Sequence, residues 1–290
     1  MTLWLDFLGT DIRTVDVPGF GRTRIAEAGK ENDHALFLLH GVGGHIEAYC
    51  KNVMELGKTF HVIAYDFPGH GGSTRDFDDF SPVLLVEHLA ALMDHLKISR
   101  ASISGESLGG WVAGLFATTY PDRIQGLVLN TTAGIPIVTE KGLEDLENLR
   151  ALSKKSAQKQ PDFESVRDRM RWLIHESNWP LLTDELIETR LRFYTDPKNA
   201  RSAPIVGKFL SSDPSLYFIE LHKISCKTLF FWTRHNPIHD LPAAEAAYVK
   251  VPNGSLYVMK ENAAHWPQYE HPEEFNAVVM DFLIGTCGEA

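Results

Sequence analysis

Short apolar runs alternate with longer segments of helical periodicity in this chain, and no other feature of the sequence constrains the fold as strongly. Apolar runs bounded by Gly, Pro or Asp are typical of buried strands, and the longer segments are typical of amphipathic helices. Such alternation produces a parallel sheet with helices on both faces. The predicted strands are residues 35–39, 61–65, 101–104, 126–130, 228–232 and 255–259, and the predicted helices are residues 46–58, 82–97, 108–119, 241–250 and 273–284. The sequence therefore predicts the α/β fold class.

The alternation is interrupted in the middle of the chain. Residues 140–211 are rich in charge, carry apolar residues at helical spacing and contain no convincing strand, which predicts a block of helices. Near the start, residues 11–28 alternate without a helical period and predict an antiparallel hairpin at one sheet edge. We therefore expect one core formed by residues 1–134 and 206–290, with a helical cap inserted at 135–205.

The charge balance bears on the kind of partner. The 290 residues include 28 Lys and Arg against 38 Asp and Glu, a formal net charge of −10, and no basic run. Because nucleic acids and anionic membranes attract clustered positive charge, neither is expected as a partner, and a small molecule is favoured. The chain has no apolar run long enough for a transmembrane helix, and residues 1–6 do not resemble a signal peptide, so we expect a cytoplasmic location.

The three cysteines, Cys50, Cys226 and Cys287, are odd in number and share no spacing typical of metal ligands. We expect reduced thiols rather than disulfides or a zinc site.

A Gly-x-Ser-x-Gly motif, Gly105-Glu106-Ser107-Leu108-Gly109, lies between a predicted strand and a predicted helix. This is the setting of a nucleophile elbow, in which small neighbours leave room for a sharp turn and the serine lies at the positive end of a helix. We predict that Ser107 is a nucleophile; the structural alternative is a helix N-cap.

A glycine-rich turn, His40-Gly41-Val42-Gly43-Gly44, follows the first predicted parallel strand. Backbone N–H groups in such a turn can bind a developing oxyanion, so we predict an oxyanion hole formed by the N–H groups of Val42 and Leu108. The alternatives are a plain turn or a phosphate loop, but no Gly-Lys-Ser/Thr follows. Gly41 and Glu106, which adjoin these groups, are predicted to contact substrate.

A serine nucleophile needs a base to accept its proton, and a late, loop-borne histidine fits that role. His265 follows the last predicted strand, and we predict that it is the base. His70, in the loop after the strand at 61–65, is expected to be structural.

Together, these motifs resemble the α/β-hydrolase superfamily over essentially the whole chain. The resemblance rests on His40-Gly41, Asp66-x-Pro68-Gly69-His70-Gly71, the Ser107 motif with Gly110, Ala264-His265-Trp266-Pro267, and Glu270-x-Pro272-Glu273-Glu274-Phe275. It implies an eight-stranded, mostly parallel sheet with a helical cap inserted after the sixth strand.

Within that superfamily the chain is most similar to the meta-cleavage product hydrolases, which hydrolyse a carbon–carbon bond in vinylogous 1,5-diketones from aromatic ring cleavage. The stretch 183–190 resembles the cap segment whose arginine binds the dienoate carboxylate, which implies that role for Arg190. A planar guanidinium suits a carboxylate. His265-Trp266 resembles the family's base and the tryptophan that packs on substrate. The alternative for Arg190 is a solvated surface charge.

The position of the triad acid departs from the family pattern, because Asn236 stands where a carboxylate is expected. An amide can hold the tautomer of a histidine but cannot stabilise imidazolium by charge. Asp240 is the nearest carboxylate, and it is either the acid or the N-cap of the helix at 241–250. His235 and His239 invite a metal interpretation, but Pro237 between them argues against it, so no metal is expected. Glu106 is a second departure, since these hydrolases usually carry asparagine there.

The motifs predict a serine-dependent hydrolase without a cofactor, and the resemblance implies carbon–carbon bond hydrolysis of a 2-hydroxy-6-oxo-dienoate from aromatic degradation. One alternative is a carboxylesterase or lactonase. Another is a non-catalytic ligand-binding member of the fold, favoured by Asn236. The resemblance also suggests a homodimer or larger homo-oligomer.

Overall fold

Eight strands form one continuous sheet in the computed structural model, which describes residues 2–156 and 160–286. The strands are β1 (Asp11–Val17), β2 (Gly21–Ala28), β3 (Ala35–Leu39), β4 (His61–Tyr65), β5 (Ala101–Glu106), β6 (Ile124–Asn130), β7 (Lys227–Trp232) and β8 (Gly254–Val258). Their order across the sheet is β1-β2-β4-β3-β5-β6-β7-β8. The pairs β1–β2 and β2–β4 are antiparallel, and all the others are parallel. The predicted fold class, including the edge hairpin, is confirmed.

Helices connect the strands and cover both faces of the sheet. They are α1 (Leu3–Asp6), α2 (Val53–Leu56), α3 (Pro82–His95), α4 (Leu108–Thr119), α5 (Glu140–Ser156), α6 (Phe163–Leu173), α7 (Asp184–Thr195), α8 (Asn199–Leu210), α9 (Leu241–Tyr248), α10 (Pro267–Glu270) and α11 (Pro272–Ile284). Short 3₁₀ turns lie at Ile46–Tyr49, Pro121–Arg123, Glu176–Leu181, Pro214–Tyr217 and Leu221–Lys223. Side-chain caps begin several helices; the Ser81 hydroxyl, for example, accepts the Leu84 N–H at the start of α3.

The central strands are buried on both faces, as expected when helices cover a parallel sheet. In β3, Phe37 and Leu39 pack into one apolar cluster, and Leu36 and Leu38 pack into the other. This alternation follows from the two-residue period of a strand. The carboxyl ends of β3 to β8 consequently meet at one edge of the sheet, where polar loops are free to form a site.

Helices α5 to α8 are inserted between β6 and β7. Leu186 and Ile187 of α7 and Met170 of α6 are buried in the same apolar cluster as Leu36 and Leu38. The inserted helices therefore pack directly against the core. α8 continues to Leu210, past residue 205. The division into core (1–134 and 206–290) and cap (135–205) stays a prediction.

The segment 46–58 is not one helix, in contrast to the prediction. It forms a 3₁₀ turn at Ile46–Tyr49 and a single α turn, α2. The Ile46 N–H donates to Asp66 Oδ1 at 2.7 Å, and the Asn52 side chain donates to the Gln268 carbonyl at 3.0 Å. These long-range hydrogen bonds compete with a regular helix, and local periodicity does not reveal them.

Candidate active site

Ser107 lies at the sharp turn between β5 and α4. Its backbone has φ 55° and ψ −114°, a left-handed conformation that side chains rarely adopt. A Cβ added at Gly105 would lie 2.2 Å from the Gly109 carbonyl group, and one at Gly109 would lie 2.1 Å from the Leu39 oxygen. Both glycines are therefore required by close backbone approach. This is the geometry of a nucleophile elbow, which presents the serine above the sheet edge.

His40 organises the turn after β3. Its Nδ1–H donates to the Gly41 oxygen at 2.7 Å, and its Nε2 accepts the Phe67 N–H at 3.0 Å. Burial lowers the pKa of His40 to about 3, so the ring is neutral and its tautomer is set by these two bonds. Among the described residues, neither the Val42 nor the Leu108 N–H donates to a protein acceptor. Both N–H groups are thus available to a ligand.

His265 lies in the loop between β8 and α10. Its backbone N–H donates to the Leu173 oxygen at 2.9 Å, at the end of α6. Burial lowers the pKa of His265 to about 3, and the charges of His239 and Arg169 act in the same direction. A neutral imidazole at this position is able to accept a proton.

The structure brings Asn236, rather than Asp240, to His265. The Asn236 Oδ1 atom lies 2.7 Å from His265 Nδ1, and its amide nitrogen donates to the His239 oxygen. Asp240 instead accepts the Thr139 hydroxyl at 2.6 Å. Asp240 stands at the N-cap position of α9, but its side chain makes no capping hydrogen bond.

Glu106 contacts both the oxyanion turn and the histidine. Its Oε2 accepts the Gly41 N–H at 2.7 Å, and its Oε1 lies 3.2 Å from His265 Nε2. The side chain is 1% exposed. Burial raises the pKa of Glu106 to about 8, against the opposing effects of the Gly41 N–H and the Arg190 charge.

No hydrogen bond joins Ser107 Oγ to His265 within the described ranges, and such bonds are often long without substrate.

Arg190 reaches from α7 over the oxyanion turn. It is 1% exposed, its Nε donates to the Tyr194 hydroxyl at 2.8 Å, and that hydroxyl donates to the Gly43 oxygen at 3.1 Å. The guanidinium carbon lies 5.3 Å from the centre of the Trp266 ring. In the described part of the chain, Arg190 Nη1 has no hydrogen-bond partner. The buried position excludes the solvated surface charge that was the alternative.

Glu270 is a structural carboxylate to which the motif analysis gave no role. Its oxygens accept the backbone N–H groups of Ala264 at 2.8 Å and His175 at 2.9 Å, and the Asn178 amide at 2.8 Å. It therefore ties the loop of His265 to the inserted helices. Its place in the motif that follows His265 is a sequence signal that could have drawn attention to it.

The remaining residues that the sequence singled out form no hydrogen bond to Ser107, His265 or Arg190 in the part of the chain that the structure describes. The His70 Nδ1–H donates to the Pro68 oxygen of its own loop at 3.1 Å. The ring of His235 packs against that of His175 at a tilt of 48°, with ring centroids 4.5 Å apart. Cys50 and Cys226 are free thiols, and Cys287 lies outside the described residues. Groups of three or more His, Cys, Asp and Glu side chains able to hold a metal are not found among the residues described.

Comparison with known proteins decides the family. The model of the alpha/beta hydrolase fold matches residues 34–272. The chain belongs to the α/β-hydrolase family. This hydrolase is 29% identical over 276 residues to a 2-hydroxy-6-oxononadienedioate/2-hydroxy-6-oxononatrienedioate hydrolase of Burkholderia vietnamiensis, covering 90% of this chain and 91% of that relative. A protein of the same description from Paraburkholderia phymatum is 30% identical, with 88% of each chain covered. The resemblance to meta-cleavage product hydrolases is confirmed.

Not every relative carries this description. The hydrolase is 26% identical to the monoacylglycerol lipase ABHD6 of Mus musculus, covering 87% of this chain and 76% of the lipase. In structure it is similar to the 2-hydroxy-6-oxo-6-phenylhexa-2,4-dienoate hydrolase of Rhodococcus, with a TM-score of 0.83, 21% identity and coverage of 95% and 99%. The curated relatives are hydrolases, so they do not support the non-catalytic alternative. Among its described helices, none is long and apolar enough to cross a bilayer.

Proposed function

We propose that this hydrolase cleaves a carbon–carbon bond in a 2-hydroxy-6-oxo-dienoate of the kind formed by aromatic ring cleavage. Ser107 is the nucleophile, His265 the base, and Asn236 the residue that holds the base. The Val42 and Leu108 N–H groups form the oxyanion hole, and Arg190 binds the substrate carboxylate.

The observation that carries this proposal is the buried Arg190 with its unpartnered Nη1. An uncompensated cation in a buried site costs several kcal/mol, so such a group is retained where an anionic ligand completes it. Nη2 also faces the oxyanion turn, because a Cβ at Gly43 would lie 3.3 Å from it. A carboxylate bound by Arg190 would therefore lie beside the oxyanion turn, next to the Trp266 ring.

The site supports two successive steps. With the carboxylate held by Arg190, His265 assists ketonisation of the dienol, which prepares the carbon–carbon bond for cleavage. Ser107 then adds to the 6-oxo carbonyl and gives its proton to His265, while the N–H groups of Val42 and Leu108 bind the oxyanion. Collapse of this adduct breaks the carbon–carbon bond, and the leaving group departs as a dienolate that takes the proton from His265. His265 then accepts a proton from water as the water oxygen adds to the acyl-enzyme, and it returns that proton to Ser107 when the acid is released.

The relatives described as 2-hydroxy-6-oxononadienedioate hydrolases support this substrate class, and the relationship to ABHD6 supports ester hydrolysis as the alternative. An ester would use the same nucleophile, base and oxyanion hole but would have no need of Arg190. The substrate carboxylate, which the dienoate has and a neutral ester lacks, is consequently the feature that distinguishes the two functions. A cytoplasmic location and a homodimeric or larger assembly stay predictions from the sequence.

The test follows the yellow dienolate absorbance of a ring-cleavage product in parallel with hydrolysis of a neutral p-nitrophenyl ester. We expect wild type to bleach the dienolate and Ser107→Ala to lose both activities. Arg190→Gln should raise KM for the dienoate by about 10-fold to 100-fold, because hydrogen bonds to a charged group contribute about 1.5–3 kcal/mol. Its ester kinetics should change little.

Arg192→Gln is the matched control, since Arg192 is exposed on the same helix and should leave both activities unchanged. Efficient ester hydrolysis with no bleaching of the dienolate would contradict carbon–carbon hydrolysis and favour the carboxylesterase alternative. Equal losses on both substrates in Arg190→Gln would show that Arg190 does not bind the carboxylate.

A further inference from the structure

A carboxyl group lies directly against the reactive nitrogen of the proposed base. The Oε1 atom of Glu106 is 3.2 Å from His265 Nε2, which is the nitrogen that must accept the proton of Ser107. No other carboxylate of the described residues lies within ion-pair distance of His265. Asn236, on the opposite side of the ring, carries no charge.

The protonation of this pair is restricted by its neighbours. The Asn236 amide nitrogen donates to the His239 oxygen, so its Oδ1 faces His265 and Nδ1 must carry a hydrogen. A neutral ring then has its lone pair on Nε2, and Oε1 of Glu106 lies 3.2 Å from that atom. A carboxylate oxygen and an unprotonated ring nitrogen that lie 3.2 Å apart repel each other, whereas a single proton held between them makes the contact favourable. The resting pair therefore holds one proton.

We propose that Glu106 and His265 share this single proton in the resting enzyme, and that its release converts Glu106 into the counter-charge which Asn236 does not provide. The inference deepens the proposed serine mechanism and rests on it. Glu106 acts through His265 and is a positioning residue rather than a group that reacts with substrate.

The groups around the pair decide where the proton lies. Glu106 receives the Gly41 N–H on Oε2 and is influenced by the positive charge of Arg190, and its charge also affects Tyr49. Burial raises the pKa of Glu106 to about 8 and lowers that of His265 to about 3. Both directions favour a neutral carboxylic acid beside a neutral imidazole over an ion pair. The groups facing His265 besides Asn236 are Arg169 and His239, and both disfavour the imidazolium.

The proton balance gives two states with different activity. In the neutral-acid state, the Glu106 O–H donates to Nε2 and occupies the lone pair that Ser107 needs. Loss of that proton to solvent leaves a carboxylate beside a neutral imidazole. When His265 then takes the Ser107 proton, the imidazolium lies next to the Glu106 carboxylate and is stabilised by it. The proton passes from His265 to the leaving group, and the carboxylate state is restored.

The test is the pH dependence of kcat/KM, which reports ionisations of the free enzyme. We expect wild-type activity to rise between pH 6 and pH 9 with an apparent pKa near 8. Glu106→Gln is isosteric with the neutral acid and cannot ionise, so its profile should be flat over that range. The ratio of wild-type to variant activity should grow at least about 10-fold from pH 6 to pH 9.

Infrared spectroscopy provides a readout that needs no turnover. In the Ser107→Ala background, the carboxylic-acid C=O band of Glu106 should disappear as the pH rises from 6 to 9. The band should be absent from the Ser107→Ala/Glu106→Gln protein. This measurement tests the ionisation of Glu106 even if Glu106→Gln has no measurable activity.

Glu27→Gln is the matched control. Glu27 is another buried carboxylate beside a histidine, with Oε1 2.6 Å from His61 Nε2, but it lies on β2 away from Ser107, and its pKa is lowered to about 2. Its kcat/KM profile should match wild type. The proposal would be overturned if kcat/KM of Glu106→Gln still rose between pH 6 and pH 9. It would also be overturned if the wild-type kcat/KM were flat over that range. If kcat/KM for the ester rose with pH as expected but the dienolate was not bleached, only the proposed substrate would be overturned.

Discussion

The side-chain oxygen of Asn236 lies 2.7 Å from Nδ1 of His265, in the place where a triad carboxylate would stand. The His239 carbonyl receives the other end of the amide and so determines which end faces the ring. In the proposed mechanism, Asn236 keeps the Nδ1–H tautomer that a base requires. Only the charge is missing, and Glu106 provides a carboxyl group on the opposite side of the ring.

Replacing Asn236 should therefore affect catalysis far more than replacing Asp240. Asn236→Leu removes the group that orients His265, and we expect kcat/KM to fall by about 10²-fold to 10⁴-fold, in the range found when a triad histidine loses its correct tautomer. Asp240→Asn should change kcat/KM by less than about threefold, because that side chain accepts the Thr139 hydroxyl and does not contact His265. Steady-state kinetics on one substrate compares the two variants. A large loss in Asp240→Asn alone would place the acid at Asp240.

Tyr194→Phe tests how Arg190 is positioned. The lost hydroxyl joins Arg190 Nε to the Gly43 oxygen, so the guanidinium should become less ordered. We expect KM for a dienoate to rise about threefold to 10-fold, as expected for a hydrogen bond of about 1 kcal/mol, with KM for a neutral ester unchanged. Tyr257→Phe removes a hydroxyl that contacts Glu274 instead and serves as the control. Equal changes on both substrates would mean that Tyr194 supports the fold rather than the carboxylate site.

The features that local patterns encode were predictable from the sequence. The period of apolar residues located the parallel strands, and Gly105 and Gly109 around Ser107 indicated the sharp turn because few other residues fit such close backbone approach. The loop position of His265 followed from its place after the last strand. Each of these inferences depends on residues close together in the chain.

The contacts between distant segments were not predictable in the same way. That Glu106 contacts substrate stays a prediction, whereas its contacts with His265 and Gly41 were not predicted. Nothing in the local sequence shows which way its side chain turns, since that depends on how three strand ends meet. Similarly, the tie from Glu270 to His175 joins residues that are 95 positions apart. Such geometry arises only when the whole sheet has formed.

Ser107→Gly should separate stability from activity. The backbone at this position has φ 55°, which glycine adopts without the cost that a Cβ incurs. We expect Ser107→Gly to be more stable to urea than Ser107→Ala by about 1 kcal/mol, although both variants lack turnover. The same pair of substitutions at Ser104, in the interior of β5, should show the reverse order, because glycine weakens a regular strand. If Ser107→Ala were as stable to urea as Ser107→Gly, backbone strain at this position would be contradicted.

The pair of Glu27 and His61 should make stability depend on pH at the acidic end. Burial opposes ionisation of Glu27, but hydrogen bonds from His61, Lys30 and Arg13 lower its pKa from 4.5 to about 2. Because the folded pKa lies below the unfolded one, the stabilisation is complete above pH 4.5 and is lost as the pH falls towards 2. We expect Glu27→Gln to reduce the free energy of unfolding by about 1–3 kcal/mol at pH 7, and the difference to shrink by pH 2.5. Urea denaturation at both pH values measures it, with the exposed Glu55→Gln as the control expected to show little change. A difference that is the same at both pH values would assign the effect to packing instead of charge.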